Sequence, residues 1–103
     1  MAISDIRLQN NYYQVIDSSG NKIKEAYSGN VGELQGFGSD FILFLRNNYF
    51  ITYDENFNKI KEAYSGNVGD LKNVAASTIN FIRNNYVVTY DKFFNKISER
   101  YNG

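Results

Sequence analysis

The sequence has no histidine, cysteine, proline or tryptophan, and a single methionine. Without histidine or cysteine, the chain cannot build the usual zinc centre, a thiol nucleophile, a disulfide scaffold or a Ser-His-Asp triad. Excess charge is missing too. Eleven basic and eleven acidic side chains leave a net charge of zero, so the basic field of a dedicated nucleic-acid binder is absent. The longest apolar run, Phe41-Ile42-Leu43-Phe44-Leu45, is far shorter than the roughly 20 residues of a membrane-crossing helix. No Gly-x-x-x-x-Gly-Lys-Ser/Thr phosphate loop occurs. The start, Met1-Ala2-Ile3-Ser4-Asp5-Ile6-Arg7, has no basic stretch leading into an apolar core. The expectation is a cytoplasmic protein, or a secreted one where a natural signal has been removed.

What the chain does have is repetition. Residues 21–32 read NKIKEAYSGNVG, and residues 58–69 read the same twelve letters, 37 positions later. The same offset aligns Asn10-Asn11-Tyr12, Asn47-Asn48-Tyr49 and Asn84-Asn85-Tyr86. It also aligns Asp17, Asp54 and Asp91; Glu25, Glu62 and Glu99; and Tyr27, Tyr64 and Tyr101. The 103 residues, 43% hydrophobic and 17% aromatic, suit one globular domain. Its units fall at about 1–29, 38–66 and 75–103, with connectors 30–37 and 67–74.

Each unit reads as β-structure. Residues 41–46 form a short apolar run, as in a buried strand. Asn47-Asn48 suits a type I′ hairpin turn, since asparagine tolerates positive φ. Residues 49–54 then alternate in polarity, and 59–64 form a more polar strand suited to a sheet edge. The connectors supply a candidate fourth strand. The fold class predicted is all-β: three tandem antiparallel meanders, with nine to eleven strands. The units are either propeller-blade-like, or closed into a pseudo-three-fold body of the β-prism or β-trefoil kind.

Residues 13–23, YQVIDSSGNKI, resemble the WG repeat in their strand, Ile-Asp pair, Ser-Gly turn and Lys-bearing strand. Tyr13-Gln14, Phe50-Ile51 and Val87-Val88 stand where that repeat has Trp-Gly. The three-unit plan is also similar to the monocot mannose-binding lectins. Of their alternating sugar motif, the Val-like and Tyr positions survive as Ile51 and Tyr53, and as Val88 and Tyr90. The resemblance implies a shared plan but no mannose site.

Three constellations carry chemistry. The Asp-x-polar-x-Asn loops at Asp17 and Asp54 have the oxygen spacing of a calcium loop. The third copy places Phe93 at a ligand position, and no acidic residue closes the loop, so a turn fixed by the aspartate is preferred and no metal is expected. Glu25 and Glu62 are carboxylates with identical surroundings, whereas acid–base catalysis needs carboxylates in unlike ones. Cross-strand pairing with lysine is preferred, and no enzyme or cofactor is expected. Tyr27, Tyr64 and Tyr101 stand beside small polar residues and suit stacking on a sugar or peptide, against a competing role in rim packing. With Asn21, Asn58 and Asn95 they form the candidate ligand-binding set. The function expected is a non-catalytic binding or assembly module, self-associating as a homo-oligomer, with a glycan or protein partner and neither nucleic acid nor membrane. The alternative is a small lectin-like carbohydrate binder. The first unit has Asp5 and Arg7 where the others have Ile42 and Phe44, or Ile79 and Phe81. That difference suits a chain end facing solvent or a partner.

Overall fold

A computed structural model describes residues 3–102. These fold into three antiparallel sheets. The first contains β1 (Ile3–Gln9), β2 (Tyr12–Asp17) and β3 (Lys22–Tyr27). A single helical turn, α1 (Ser28–Val31), leads to the second, made of β4 (Glu33–Phe37), β5 (Ile42–Arg46), β6 (Tyr49–Tyr53) and β7 (Lys59–Tyr64). The turn α2 (Ser65–Val68) leads to the third, made of β8 (Asp70–Val74), β9 (Ile79–Arg83), β10 (Tyr86–Tyr90) and β11 (Lys96–Tyr101). The all-β class and the tandem meanders are as the sequence predicts. The connectors hold β4 and β8, which pair with β5 and β9 as fourth strands. The first sheet has three strands.

Local chemistry sets each turn. Both asparagines of every Asn-Asn pair have positive φ, 52° and 70° at Asn10-Asn11 and nearly the same at the other two. This is the type I′ geometry, whose twist matches that of the flanking strands. It puts Arg46 directly opposite Tyr49, and Arg83 opposite Tyr86. At the next turn, Asp54 Oδ1 accepts the backbone N–H groups of Asn56 and Asn58, each at 2.9 Å. Asp17 and Asp91 do the same in their units. The aspartate is therefore a turn staple that satisfies two backbone donors.

A β-bulge follows each aspartate turn. Lys22 faces Ile16 and Lys24 faces Val15, leaving Ile23 as the extra residue. In a regular strand, residues three apart lie on opposite faces; the inserted residue brings Lys22 and Glu25 to the same face. Lys22 Nζ then donates to Glu25 at 2.8 Å, and Lys59–Glu62 and Lys96–Glu99 repeat the pair. The pairing lies within one strand, not across strands as the sequence alone suggests. The bulge, invisible in the residue spacing, is the reason.

The sheets stack in series around two apolar clusters. One joins the first sheet (Ile6, Tyr13, Val15) to the second (Ile42, Phe44). The other joins the opposite face of the second sheet (Leu43, Phe50) to the third (Ile79, Phe81). Edge-to-face aromatic pairs occupy both: Tyr13–Phe44 at 5.1 Å and Phe50–Phe81 at 5.0 Å. Truncating fully buried Phe44 to alanine would cost about 3–5 kcal/mol, comparable to the whole stability of a small domain. Backbone bonds tie the sheets at one end: Ile3 N–H donates to the Ser39 carbonyl and Ser39 N–H to the Ala76 carbonyl, each at 2.8 Å. Buried Thr52 donates from Oγ1 to the Lys92 carbonyl at 2.7 Å, and Lys92 pairs with Asp40 at 2.8 Å. The extents are 41 × 27 × 20 Å. No helix among the described residues is long and apolar enough to cross a membrane.

The two outermost faces differ from the inner ones. On the first sheet, the face turned away from the second carries Asp5, Arg7 and Gln14 at the positions of Ile42, Phe44 and Ile51. Asp5 Oδ1 also accepts its neighbour's N–H, that of Ile6, at 2.9 Å on the edge strand β1. On the third sheet the outward face has Asn80 at the position of Leu43 and Arg100 at that of Ala63. Asn80 donates to Asn73 at 2.8 Å and accepts from Thr89 at 2.5 Å, so a hydrogen-bonded polar ladder crosses three strands.

Gly32 and Gly69 close the helical turns at φ 99° and 98°, in a region nearly exclusive to glycine. A Cβ on Gly32 would sit 2.5 Å from the Leu45 carbonyl oxygen, whereas one on Gly20 (φ 84°) meets open space. Gly32→Ala is therefore expected to lose about 1–3 kcal/mol or more, and Gly20→Ala clearly less. Urea unfolding midpoints of the two variants measure the order, and the reverse order would refute this account of the junction.

Candidate functional site

The second and third sheets each carry a surface groove at the hairpin end. In the second it is lined by Arg46, Asn47, Tyr49, Ile51 and Glu62, with a volume of about 220 Å³. In the third it is lined by Arg83, Asn84, Tyr86, Val88, Tyr90, Lys96 and Glu99, with about 290 Å³. Every residue of the smaller groove has its 37-position counterpart in the larger.

Strand register explains the composition. Arg46 faces Tyr49, Tyr49 faces Tyr64 and Ile51 faces Glu62, so all lie on one side of the sheet. The same side carries Ile42, Phe44 and Tyr53 into the core beside the first sheet. Along β6 the face thus runs from core at Tyr53, through buried Ile51, to exposed Tyr49 at the turn. The third sheet repeats this from Tyr90 through Val88 to Tyr86. The buried aliphatic residue forms an apolar floor; the arginine, asparagine and tyrosine form a polar rim.

Each groove tyrosine packs on a partner across the strand pair. Tyr49–Tyr64 and Tyr86–Tyr101 have ring centroids 5.6 Å apart, tilted by 61° and 68°. Tyr12–Tyr27 in the first sheet has the same separation. Such pairs hold a large amphipathic ring in place while leaving it 39–41% exposed at Tyr12, Tyr49 and Tyr86. A Cβ on Gly66 would fall 2.5 Å from the Tyr64 ring, so the helical turn after the strand needs glycine there to admit the ring.

Electrostatics are simple. Glu62 and Glu99 are engaged by Lys59 and Lys96. The Glu99 hydrogen bond and charge hold the exposed Lys96 ammonium above its ordinary value of 10.5. Among the described residues neither Arg46 nor Arg83 has an ion-pair partner, and no group of three or more acidic side chains converges to hold a metal ion. The first sheet has Gln9, Asn10, Tyr12, Gln14 and Glu25 at the groove positions, which removes both the arginine and the aliphatic floor.

The residues singled out in the sequence separate into two places. Tyr27, Tyr64 and Tyr101 stand exposed beside the groove tyrosines. Asn21, Asn58 and Asn95 lie at the aspartate turns, beyond the far end of the same strand; six residues at about 3.3 Å each put roughly 20 Å between them and the tyrosines. Asn58 and Asn95 also donate side-chain bonds to Asp54 and Asp91. Sequence reasoning missed Arg46, Tyr49, Arg83 and Tyr86 as a set. The signal was available: a two-residue Asn-Asn hairpin requires its flanking residues to face each other. No protein-family model, curated protein or solved structure matches this chain.

A lysine whose pKa is raised on folding contributes stability that is complete below its unfolded pKa and is lost as pH rises through the folded one. The Lys96 contribution is thus expected to persist through neutral pH and vanish only above 10.5. Glu99→Gln should return Lys96 to its ordinary titration. Side-chain NMR titration reads this directly; an unchanged Lys96 midpoint in the variant would exclude Glu99 as the cause.

Proposed function

We propose that the protein is a non-catalytic binding module that presents one type of groove twice. The observation that carries this is the recurrence of arginine, asparagine, tyrosine, an aliphatic floor and glutamate at the same sheet positions in two units. Exposed, rigidly packed tyrosine next to an amide and a cation is the lining of a recognition surface. Catalysis by paired carboxylates is not favoured, because each groove contains one carboxylate and a lysine engages it. Two like grooves on one body bind a repetitive ligand with avidity, which multiplies weak contacts without further chemistry.

The lectin-like reading is contained in this proposal, with the sugar site moved from the aspartate turns to the hairpin end. Binding of a protein segment remains the second reading, favoured by the enrichment of tyrosine and arginine at protein interfaces. The groove reading is tested on a broad glycan and peptide array, followed by calorimetry of any hit. Two sites per chain are expected. Tyr49→Ala and Tyr86→Ala should each weaken their groove by about 1 kcal/mol, roughly fivefold, while circular dichroism stays unchanged. A hit with one site per chain, or one that the double variant binds as well as the wild type, would refute it.

Self-association through the outer sheet faces is not the assembly these faces favour. In stacked repeats a polar outer face is what ends the stack, and the Asn73–Asn80–Thr89 ladder satisfies its own polar groups. The charged Asp5 on edge strand β1 acts against strand addition. In place of the homo-oligomer expected from the sequence, the wild type is therefore expected to be monomeric in native mass spectrometry across a concentration series. Asn80→Leu with Arg100→Ala, which restores the inner-face residues, is expected to associate; a stable wild-type oligomer would overturn this reading.

A further inference from the structure

We infer that the two grooves select a carboxylate-bearing sugar, and that the first unit lacks this site. The inference rests on the groove reading above and adds the charge and ring chemistry of the ligand.

Three observations lead to it. Arg46 and Arg83 are exposed, stand directly across the hairpin from Tyr49 and Tyr86, and have no ion-pair partner among the described residues. An arginine fork matches a carboxylate in two parallel hydrogen bonds, and such charge-assisted bonds are the strong ones. Lys59 and Lys96, on the groove side of their sheets, are already committed to Glu62 and Glu99, so among the groove residues the arginine is the cation left to meet an anion. Next to it lie a tyrosine ring and the aliphatic floor of Ile51 or Val88, which suit the weakly polar face of a pyranose, and an asparagine amide, which suits its hydroxyls. The volumes of about 220 and 290 Å³ lie just below the roughly 300–1,000 Å³ of drug-sized ligand pockets, which suits a ligand unit as small as a single ring.

The first unit is the internal control. It keeps Asn10 and the Tyr12–Tyr27 pair but has Gln9 for the arginine and Gln14 for the floor. Glutamine is neutral and cannot pair with a carboxylate as a charge. The molecule thus carries two anion-selective grooves and, in the first unit, a neutral counterpart at the same sheet positions.

The test uses the intact chain and three probes: oligogalacturonate, its methyl ester, and an oligoglutamate peptide. Calorimetry is expected to give two sites for oligogalacturonate. The methyl ester, neutral but with the same rings, should bind about tenfold or more weakly. Arg46→Gln with Arg83→Gln should lower oligogalacturonate affinity toward that of the methyl ester, so that the roughly tenfold preference for acid over ester is lost. Tyr49→Ala with Tyr86→Ala should weaken both. Equal affinity for acid and ester would overturn the charge selection while leaving the groove reading intact. Binding of oligoglutamate as strong as oligogalacturonate would overturn the sugar assignment. No binding of oligogalacturonate would overturn the inference as a whole, whereas the groove reading falls on the array hits, by one site per chain or by unchanged binding to the tyrosine double variant.

Discussion

Burial of the second sheet from both sides is the constraint on which the rest of this structure depends. A sheet that is apolar on both faces must have a packed layer against each of them. Here the middle sheet turns Ile42 and Phe44 to one neighbour and Leu43 and Phe50 to the other. Its residues 41–44 are all fully buried, which is why that stretch is the longest apolar run in the sequence. The outer sheets each pack against a neighbouring sheet on one face. Their sequences diverge from the repeat on the other face, at Asp5, Arg7 and Gln14 on one side and at Asn80 and Arg100 on the other.

The turns follow the same logic. The residue before the asparagine that ends each aspartate turn has positive φ in all three units, as Gly20, Phe57 and Phe94. A phenylalanine there is strained by an amount of order 1–3 kcal/mol. Phe57 offsets this by packing against the first core, 6.3 Å from Phe44 and 6.4 Å from Tyr53, and Phe94 packs 6.3 Å from Tyr90 beside the second. Among the described residues no sheet packs against the equivalent face of the first sheet, and glycine, which adopts that conformation without strain, stands there. One substitution thus records both the backbone geometry of the turn and the absence of a neighbour.

The grooves arise where the buried faces emerge at the hairpin end. A strand has one side-chain period, so a face that is apolar along its length would continue into solvent. Instead the last positions, Tyr49 and Arg46, combine apolar contact area with polar atoms. The same device at Tyr86 and Arg83 gives the molecule two like surfaces from one period of sequence. Turn chemistry and function are therefore joined: the type I′ hairpin that closes β5 on β6 also sets arginine across from tyrosine.

By itself the sequence determined the period, the three units, the type I′ hairpins, the aspartate turns and the alternation of faces. Each of these is set within a few residues, by φ preference, local hydrogen bonding or strand pleat. It also exposed the polar substitutions at Asp5 and Arg7. Only the tertiary structure decided the bulge that places Lys22 beside Glu25, the assignment of the connectors to the following sheets, and the separation of Asn21, Asn58 and Asn95 from the tyrosines. It alone decided the environment of each repeat position. Ile23 and Ile60 pack against the two cores, while Ile97, their counterpart in the third unit, is 56% exposed. Burial belongs to the neighbours of a residue, and a repeated letter has no record of which neighbours its copy will meet.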